Sequence, residues 1–370
     1  MSSEAGLFSP LTLRGVTFRN RIGVSPMCQY SAVDGFVNDW HLVHLGARAA
    51  GGAGLVMMEA TGVTPEGRIT PGCTGIWSDA HAEPMKRITD FIQSQGAVAG
   101  IQIAHAGRKA SCDVPWRGGA PLPPSDPAAW QTIAPSALAF QDGHPVPHAM
   151  TLEDIKRLQE SFVLAARRAV KAGFRLIELH GAHGYLMHEF FSPLSNHRTD
   201  DYGGSRDNRF RFVLETARAV RGEIPADIVL AARLSCSDWT EGGVTIEDST
   251  ALAAALKDCG VDLIDCSSGG NVHDAKIPAD PGYQVPFAAQ IRREAEIPTA
   301  AVGMISEPQQ ADDIIRKGEA DMALLARAFL RDPYWAVHAA QTLGAEADVP
   351  PQYLRGYHQS RTAAPAKKAG

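Results

Sequence analysis

Short apolar runs of four to six residues recur along the chain, and the stretches between them show helical spacing. The runs Arg21–Ser25, Gly54–Met58, Val98–Gln102, Phe174–Leu179, Ile228–Arg233, Leu263–Ser267, Thr299–Val302 and Met322–Leu325 predict eight β-strands. Between them, Thr151–Ala172, Arg206–Gly222, Ile246–Asp258 and Pro308–Lys317 predict helices. Thr151-Leu-Glu-Asp154 offers a hydroxyl cap followed by acidic residues, which the positive end of the helix dipole favours. Ser306-Glu-Pro308 starts another helix, with proline where the N–H groups lack partners anyway. Gly173, Gly222, Gly260 and Gly318 each close a helical run, at the position where a helix turns left-handed to stop.

Eight strand-then-helix units predict an α/β fold, a single (β/α)8 TIM barrel, with an open doubly wound sheet as the rival. Active sites in such barrels lie at the C-terminal ends of the strands. Cys28, Gln102, His180, Arg233, Ser267, Gly303 and Arg327 all fall at or just after such ends. Two segments stand outside the repeat. His105–Met150 is rich in Pro, Gly and Trp and too long for a strand-to-helix loop, so it is expected to cap the barrel mouth. Beyond Leu343 the chain is Pro-, Ala- and Lys-rich, with disorder expected over 362–370. No linker divides residues 1–343, which are expected to form one barrel.

Composition narrows the function classes. Of 370 residues, 45% are hydrophobic, enough for a large core, and the formal charge of −6 favours neither nucleic acid nor an anionic membrane. Six scattered cysteines without a Cys-x-x-Cys pair predict reduced thiols and a cytoplasmic setting. The N-terminus has no leader pattern, and no apolar stretch approaches the roughly 18 residues of a membrane span.

The segment Glu178-Leu-His180-Gly-Ala-His183-Gly-Tyr185 carries the sharpest chemistry. A strand that ends by releasing two histidines and a tyrosine into a Gly-rich turn gathers two N–H donors and a phenol. The pair reads as a clamp for a carbonyl oxygen, with a metal site and a structural role as alternatives. Arg233 ends an apolar strand, and a buried cation there needs a carboxylate or a ligand that becomes anionic. Gly303 and the Ala326-Arg327 pair, after strands seven and eight, suggest a phosphate site, to which Ser267-Ser-Gly-Gly270 adds backbone N–H groups. No Gly-x-Gly-x-x-Gly occurs, so a Rossmann nicotinamide site is unsupported.

With these motifs in hand, the chain resembles the old yellow enzyme family of FMN-dependent ene-reductases, in particular its thermophilic-like or xenobiotic-reductase branch. The resemblance runs from Leu7 to about Tyr357. It rests on Arg19-Asn-Arg21, Ser25-Pro-Met-Cys28-Gln-Tyr30, His105-Ala-Gly-Arg-Lys109, His180-Gly-Ala-His183-Gly-Tyr185 and Asp201-Tyr-Gly-Gly-Ser205 with Asn208-Arg209. It implies a non-covalent FMN whose ring meets Ser25, Pro26, Met27, Cys28, Ala60, Gln102 and Arg233, and whose phosphate meets Gly303, Ala326 and Arg327. It also implies NADPH or NADH as hydride donor and α,β-unsaturated carbonyl compounds as acceptors. His180 and His183 would hold the carbonyl, Tyr185 would donate the proton, Tyr30 would line the pocket, and Cys28 would tune the flavin. Arg355, in Pro351-Gln-Tyr353-Leu-Arg355-Gly-Tyr357, would reach a neighbouring subunit's site, which implies a homodimer or homotetramer. A longer dienoyl-CoA reductase type would need a cysteine cluster after the barrel, and no cysteine follows Cys266.

Overall fold

A computed structural model describes residues 6–357. Eight parallel strands close into a barrel: β1 (Ile22–Val24), β2 (Leu55–Gly62), β3 (Val98–Ala104), β4 (Leu176–Gly181), β5 (Val229–Ser235), β6 (Leu263–Ser267), β7 (Thr299–Val302) and β8 (Met322–Leu325). Neighbours in space follow chain order, and β8 pairs with β1 through Leu325 and Val24. The rival open sheet is thereby excluded.

Side chains alternate in and out along each strand. Leu55, Val98, Leu176, Val229 and Leu263, which open their strands, share one buried cluster with Leu13, Val16 and Phe18 of an N-terminal hairpin. The hairpin thus closes the end of the barrel away from the site. There Arg19 donates to the carbonyls of Ala49 at 2.9 Å and Gln95 at 2.8 Å, a structural duty for one of the family motifs. Continuing inward along the same face, the apolar layers give way at the other end to Gln102, Glu178, Arg233 and Asp265, all buried.

The helices cover the outside through an apolar face, and the expected boundaries hold closely: Leu152–Lys171, Arg206–Glu223, Ile246–Asp258 and Pro308–Arg316. Thr151 caps its helix reciprocally with Asp154. Gly173, Gly260 and Gly318 are left-handed, with φ of +93°, +88° and +69°. Gly222 is not: its helix runs on to Glu223 and stops at Ile224, just before Pro225. No helix among the described residues is long and apolar enough to cross a membrane.

Between β3 and the next helix, residues 105–150 hold only single helical turns and a two-residue strand pair, Ile133–Ala134 with His148–Ala149. This segment is tied across strand ends: Arg108 donates to the Asn271 carbonyl at 2.8 Å, and Arg198 to that of Pro135 at 3.0 Å. At the C-terminal side, Pro351–Tyr353 and Leu354–Tyr357 form short turns, with the Tyr353 ring 5.9 Å from Tyr334. The tail 362–370 lies outside the described residues.

Candidate active site

The turn after β4 brings the clamp residues together. The His180 ring lies 5.2 Å from His183 and 5.0 Å from Tyr185, edge-on to both. Two glycines make this turn sit tightly against the loop after β6. A Cβ on Gly184 would meet the Gly270 carbonyl oxygen at 2.2 Å, and one on Gly270 would meet the His183 Cα at 2.6 Å. Both glycines have positive φ, as does His183 itself at +61°. This backbone contact brings Ser267 Oγ to 2.6 Å from His183 Nε2. The loop 267–270 therefore supports the histidine turn, and within it the Gly269 N–H is taken by the Ser237 carbonyl at 2.8 Å.

Tautomers follow from the bonding. The Ala182 N–H donates to His180 Nδ1 at 3.3 Å, so neutral His180 carries its proton on Nε2. Burial, together with the nearby Arg233 cation, holds both imidazoles well below the usual histidine range. Burial, reinforced by the Cys28 and Tyr30 side chains, pushes the Tyr185 phenol well above its ordinary value. At neutral pH the site thus presents uncharged N–H donors and a protonated phenol. Behind them, the Gly184 N–H donates to His188 Nδ1 at 2.9 Å, and His188 Nε2 lies 3.0 Å from Asp238, both side chains fully buried.

At the top of the barrel interior, Arg233 Nε donates to Asp265 at 2.5 Å and Nη2 to Ser25 Oγ at 2.8 Å. The carboxylate alternative for Arg233 is therefore met within the protein. Burial opposes its charge, but Asp265 and Glu178 more than offset that. Glu178, raised to about 8 by burial and by Asp265, accepts from Gln102 Nε2 at 2.8 Å. Ser25, Pro26, Met27 and Cys28 follow β1, with the Ser25 N–H on the Leu325 carbonyl at 2.9 Å, and Ala60 sits in the irregular top of β2. Tyr30 holds a left-handed backbone at φ +52°.

A cavity of about 190 Å³ opens after β7 and β8 and is lined by Gly303, Met304, Ser306, Ala326, Arg327 and Arg331, among others. Gly303 has φ +110°, and a Cβ there would meet Gln284 Nε2 at 2.4 Å. Small residues and two guanidinium groups around a concavity form the donor set of a phosphate cradle. Arg355 is exposed on the last short helix.

Residues 6–346 match the NADH:flavin oxidoreductase / NADH oxidase family. The chain belongs to that family. An NADPH dehydrogenase of Geobacillus thermodenitrificans is 48% identical over 353 residues, which cover 95% of this chain and 98% of that protein. The old yellow enzyme homologue from Zymomonas mobilis superposes with a TM-score of 0.74 at 28% identity, over 92% of this chain and 94% of that one. A 2-naphthoyl-CoA reductase superposes with a TM-score of 0.82 at 25% identity, but 92% of this chain spans only 52% of that protein's length. The protein is thus an oxidoreductase of the old yellow enzyme type, with FMN as cofactor and NAD(P)H as electron donor. The cradle with its two arginines fits the phosphate of that cofactor, and the polar floor of Gln102 and Arg233 fits a hydrogen-bonding ring above it. Among the described residues no group of three or more His, Cys, Asp or Glu side chains could hold a metal ion.

Asp265, Lys109 and Arg331 were not singled out by the sequence. Asp265 lies two residues from Leu263 on the inward face, so strand alternation carried the signal. Lys109 stands in a family motif, and its Nζ donates to the His183 carbonyl at 2.9 Å and that of Gly270 at 2.8 Å.

Proposed function

We propose that this chain is an ene-reductase that reduces the activated C=C bond of α,β-unsaturated carbonyl compounds in two half-reactions sharing one mouth. The observation that carries the reading is the convergence of two neutral imidazoles and a protonated phenol on one turn. His180 Nε2–H and the His183 ring hold the carbonyl oxygen and stabilise the negative charge that grows on it. One oxyanion donor contributes about 3 kcal/mol to such a transition state. FMN, when bound, would supply the chemistry that the side chains lack, hydride transfer from NAD(P)H to the β-carbon. Tyr185 gives its proton to the α-carbon. Ser25, Pro26, Met27, Cys28, Ala60, Gln102 and Arg233 hold the ring, Gly303, Ala326 and Arg327 hold the phosphate, and Tyr30 lines the substrate side. The reading includes a homo-oligomer in which exposed Arg355 reaches a neighbouring subunit's mouth.

Rapid mixing of each half-reaction tests the role of Tyr185. Tyr185→Phe is expected to slow alkene reduction by about 100-fold or more, the usual contribution of a positioned general acid, while reduction by NADPH stays within about two-fold. Equal slowing of both steps would remove Tyr185 from the proton-donor role.

A further inference from the structure

A buried chain of polar groups stands behind the turn that carries His183 and Tyr185. The peptide between His183 and Gly184 is held at both ends: its carbonyl accepts from Lys109 Nζ at 2.9 Å, and its N–H donates to His188 Nδ1 at 2.9 Å. His188 Nε2 lies 3.0 Å from Asp238 Oδ1. Asp238 Oδ2 accepts from Ser192 Oγ at 2.6 Å and from the Val244 N–H at 2.9 Å. Ser192 Oγ in turn accepts from Asn271 Nδ2 at 2.8 Å, and Asn271 Oδ1 accepts from Arg108 Nη2 at 3.1 Å. All five side chains from Arg108 to His188 are buried. The direction of every contact is fixed. A guanidinium only donates, so Asn271 turns its oxygen to Arg108 and its NH2 to Ser192, whose own proton goes to Asp238. From the other side a backbone N–H only donates, so the bare nitrogen of neutral His188 is Nδ1 and the proton on Nε2 faces Asp238. The two runs of donors meet at Asp238, and an ionised carboxylate, which only accepts, can end both. Burial opposes that charge, but His188, Ser192 and the Val244 N–H outweigh it and hold the carboxyl below the usual carboxylate range.

We propose that His188 and Asp238 are positioning residues for the carbonyl clamp. Asp238 keeps the His188 proton on Nε2, and the bare Nδ1 thereby holds the Gly184 N–H and with it the orientation of His183 and Tyr185 on either side. The assignment rests on the reading of His180 and His183 as that clamp. Neither His188 nor Asp238 takes a proton or a bond in the carbonyl chemistry; they act through the turn. A substitution that keeps the shape of Asp238 but adds a donor should therefore be felt at Gly184. In Asp238→Asn the side chain gains an NH2 that must face one of two ways. On the Oδ2 side it would meet the Val244 N–H, which cannot reverse, so the amide oxygen stays there and the NH2 turns to His188 Nε2. The imidazole must then carry its proton on Nδ1, where it confronts the Gly184 N–H donor to donor.

Two measurements on the FMN-loaded protein test this. In protein labelled with nitrogen-15 histidine, the ring spectrum at neutral pH should show the His188 proton on Nε2, and on Nδ1 in Asp238→Asn. The signal is assigned by its loss in His188→Leu. A proton on Nδ1 in the unsubstituted protein, or one that stays on Nε2 in Asp238→Asn, would overturn the proposal. The second measurement compares two side chains of similar size. His188→Asn and His188→Leu both lose the imidazole beside Asp238, but asparagine places an amide oxygen where Nδ1 stands. A substituted phenol, titrated by flavin absorbance, should bind His188→Leu about 10-fold more weakly than His188→Asn, at equal FMN content. Equal affinities would show that the Gly184 bond does not set the clamp. His180→Ala, titrated alongside, separates two failures. If it also leaves the phenol unchanged, the clamp reading has failed, and the ring spectrum alone then decides whether Asp238 sets the His188 proton. The spectrum needs only Asp238→Asn and the titration only the two His188 variants, so one variant that folds poorly leaves the other measurement to decide.

Discussion

Taken out of water, the imidazoles of His180 and His183 carry no positive charge at neutral pH, and each then has one proton to direct. The Ala182 N–H directs that of His180 outward through Nε2. For His183 the 2.6 Å contact with Ser267 makes the choice: whichever atom donates there, the ring is held at one nitrogen and its orientation is fixed. These two devices differ in what a mutation removes. A phenolate ligand mimics the negative oxygen of the transition state, so its affinity for the holoenzyme reads the clamp without turnover. His180→Ala should weaken a substituted phenol by about 10- to 100-fold, the range for a hydrogen bond to a charged group. Ser267→Ala leaves both rings present and should cost only about five-fold, one neutral hydrogen bond. Titration followed by flavin absorbance checks both, and unchanged affinity in His180→Ala would remove that residue from the clamp.

Between elements, the contact that matters most is backbone against backbone, where the turn after β4 meets the loop after β6. Gly184 has φ +71° and no room for a Cβ, because the obstacle is the Gly270 carbonyl rather than a side chain that could swing away. Gly184→Ala should therefore lose about 2 kcal/mol or more of stability, from the left-handed strain and the clash together. It should also weaken phenol binding, because the displaced loop carries Ser267. Urea titration of the variant gives the first quantity, and wild-type stability would show that the loops do not meet there. This contact also marks where the sequence stops being legible. Strand runs such as Ile228–Arg233 and caps such as Thr151 with Asp154 are local signals, set by neighbours a few residues away, and they were readable to within one or two residues. The same holds for His180, His183 and Tyr185, which one turn delivers together. Asp265 against Arg233 and Ser267 against His183 join residues tens of positions apart. Only barrel closure decides those pairings. Gly222 shows the opposite limit: a glycine near a helix end reads as a stop signal, but Pro225 places the true end one residue later.

Across the whole molecule, buried ionisable groups pull stability in opposite directions as pH changes. Burial keeps four imidazoles neutral: His44 near 3, His105 near 4, and His180 and His183 well below the usual histidine value. When pH falls below about 6.5, the unfolded chain takes up protons at these positions and the folded one does not, so stability falls with acid. Burial raises Glu178 and Glu189 to about 8. Between about 4.5 and 8 the folded chain keeps protons there that the unfolded chain has released, so this contribution declines as pH rises. Below about 6.5 the four imidazoles outnumber the two carboxyls and stability rises with pH. Above it the imidazoles are neutral in both states, and the carboxyls alone lower stability up to about pH 8. The unfolding free energy should therefore peak near pH 6.5, with limbs of order 1–2 kcal/mol per pH unit, and the thermal midpoint of the holoenzyme at fixed FMN should peak with it. Glu178→Gln, which keeps a partner for Gln102 without a titrating proton, should roughly halve the alkaline limb, which Glu189 still carries, and steepen the acid limb, where Glu178 opposes the imidazoles. A midpoint that climbs steadily from pH 6.5 to 8 in the unsubstituted protein would mean that Glu178 and Glu189 are ionised in the folded state.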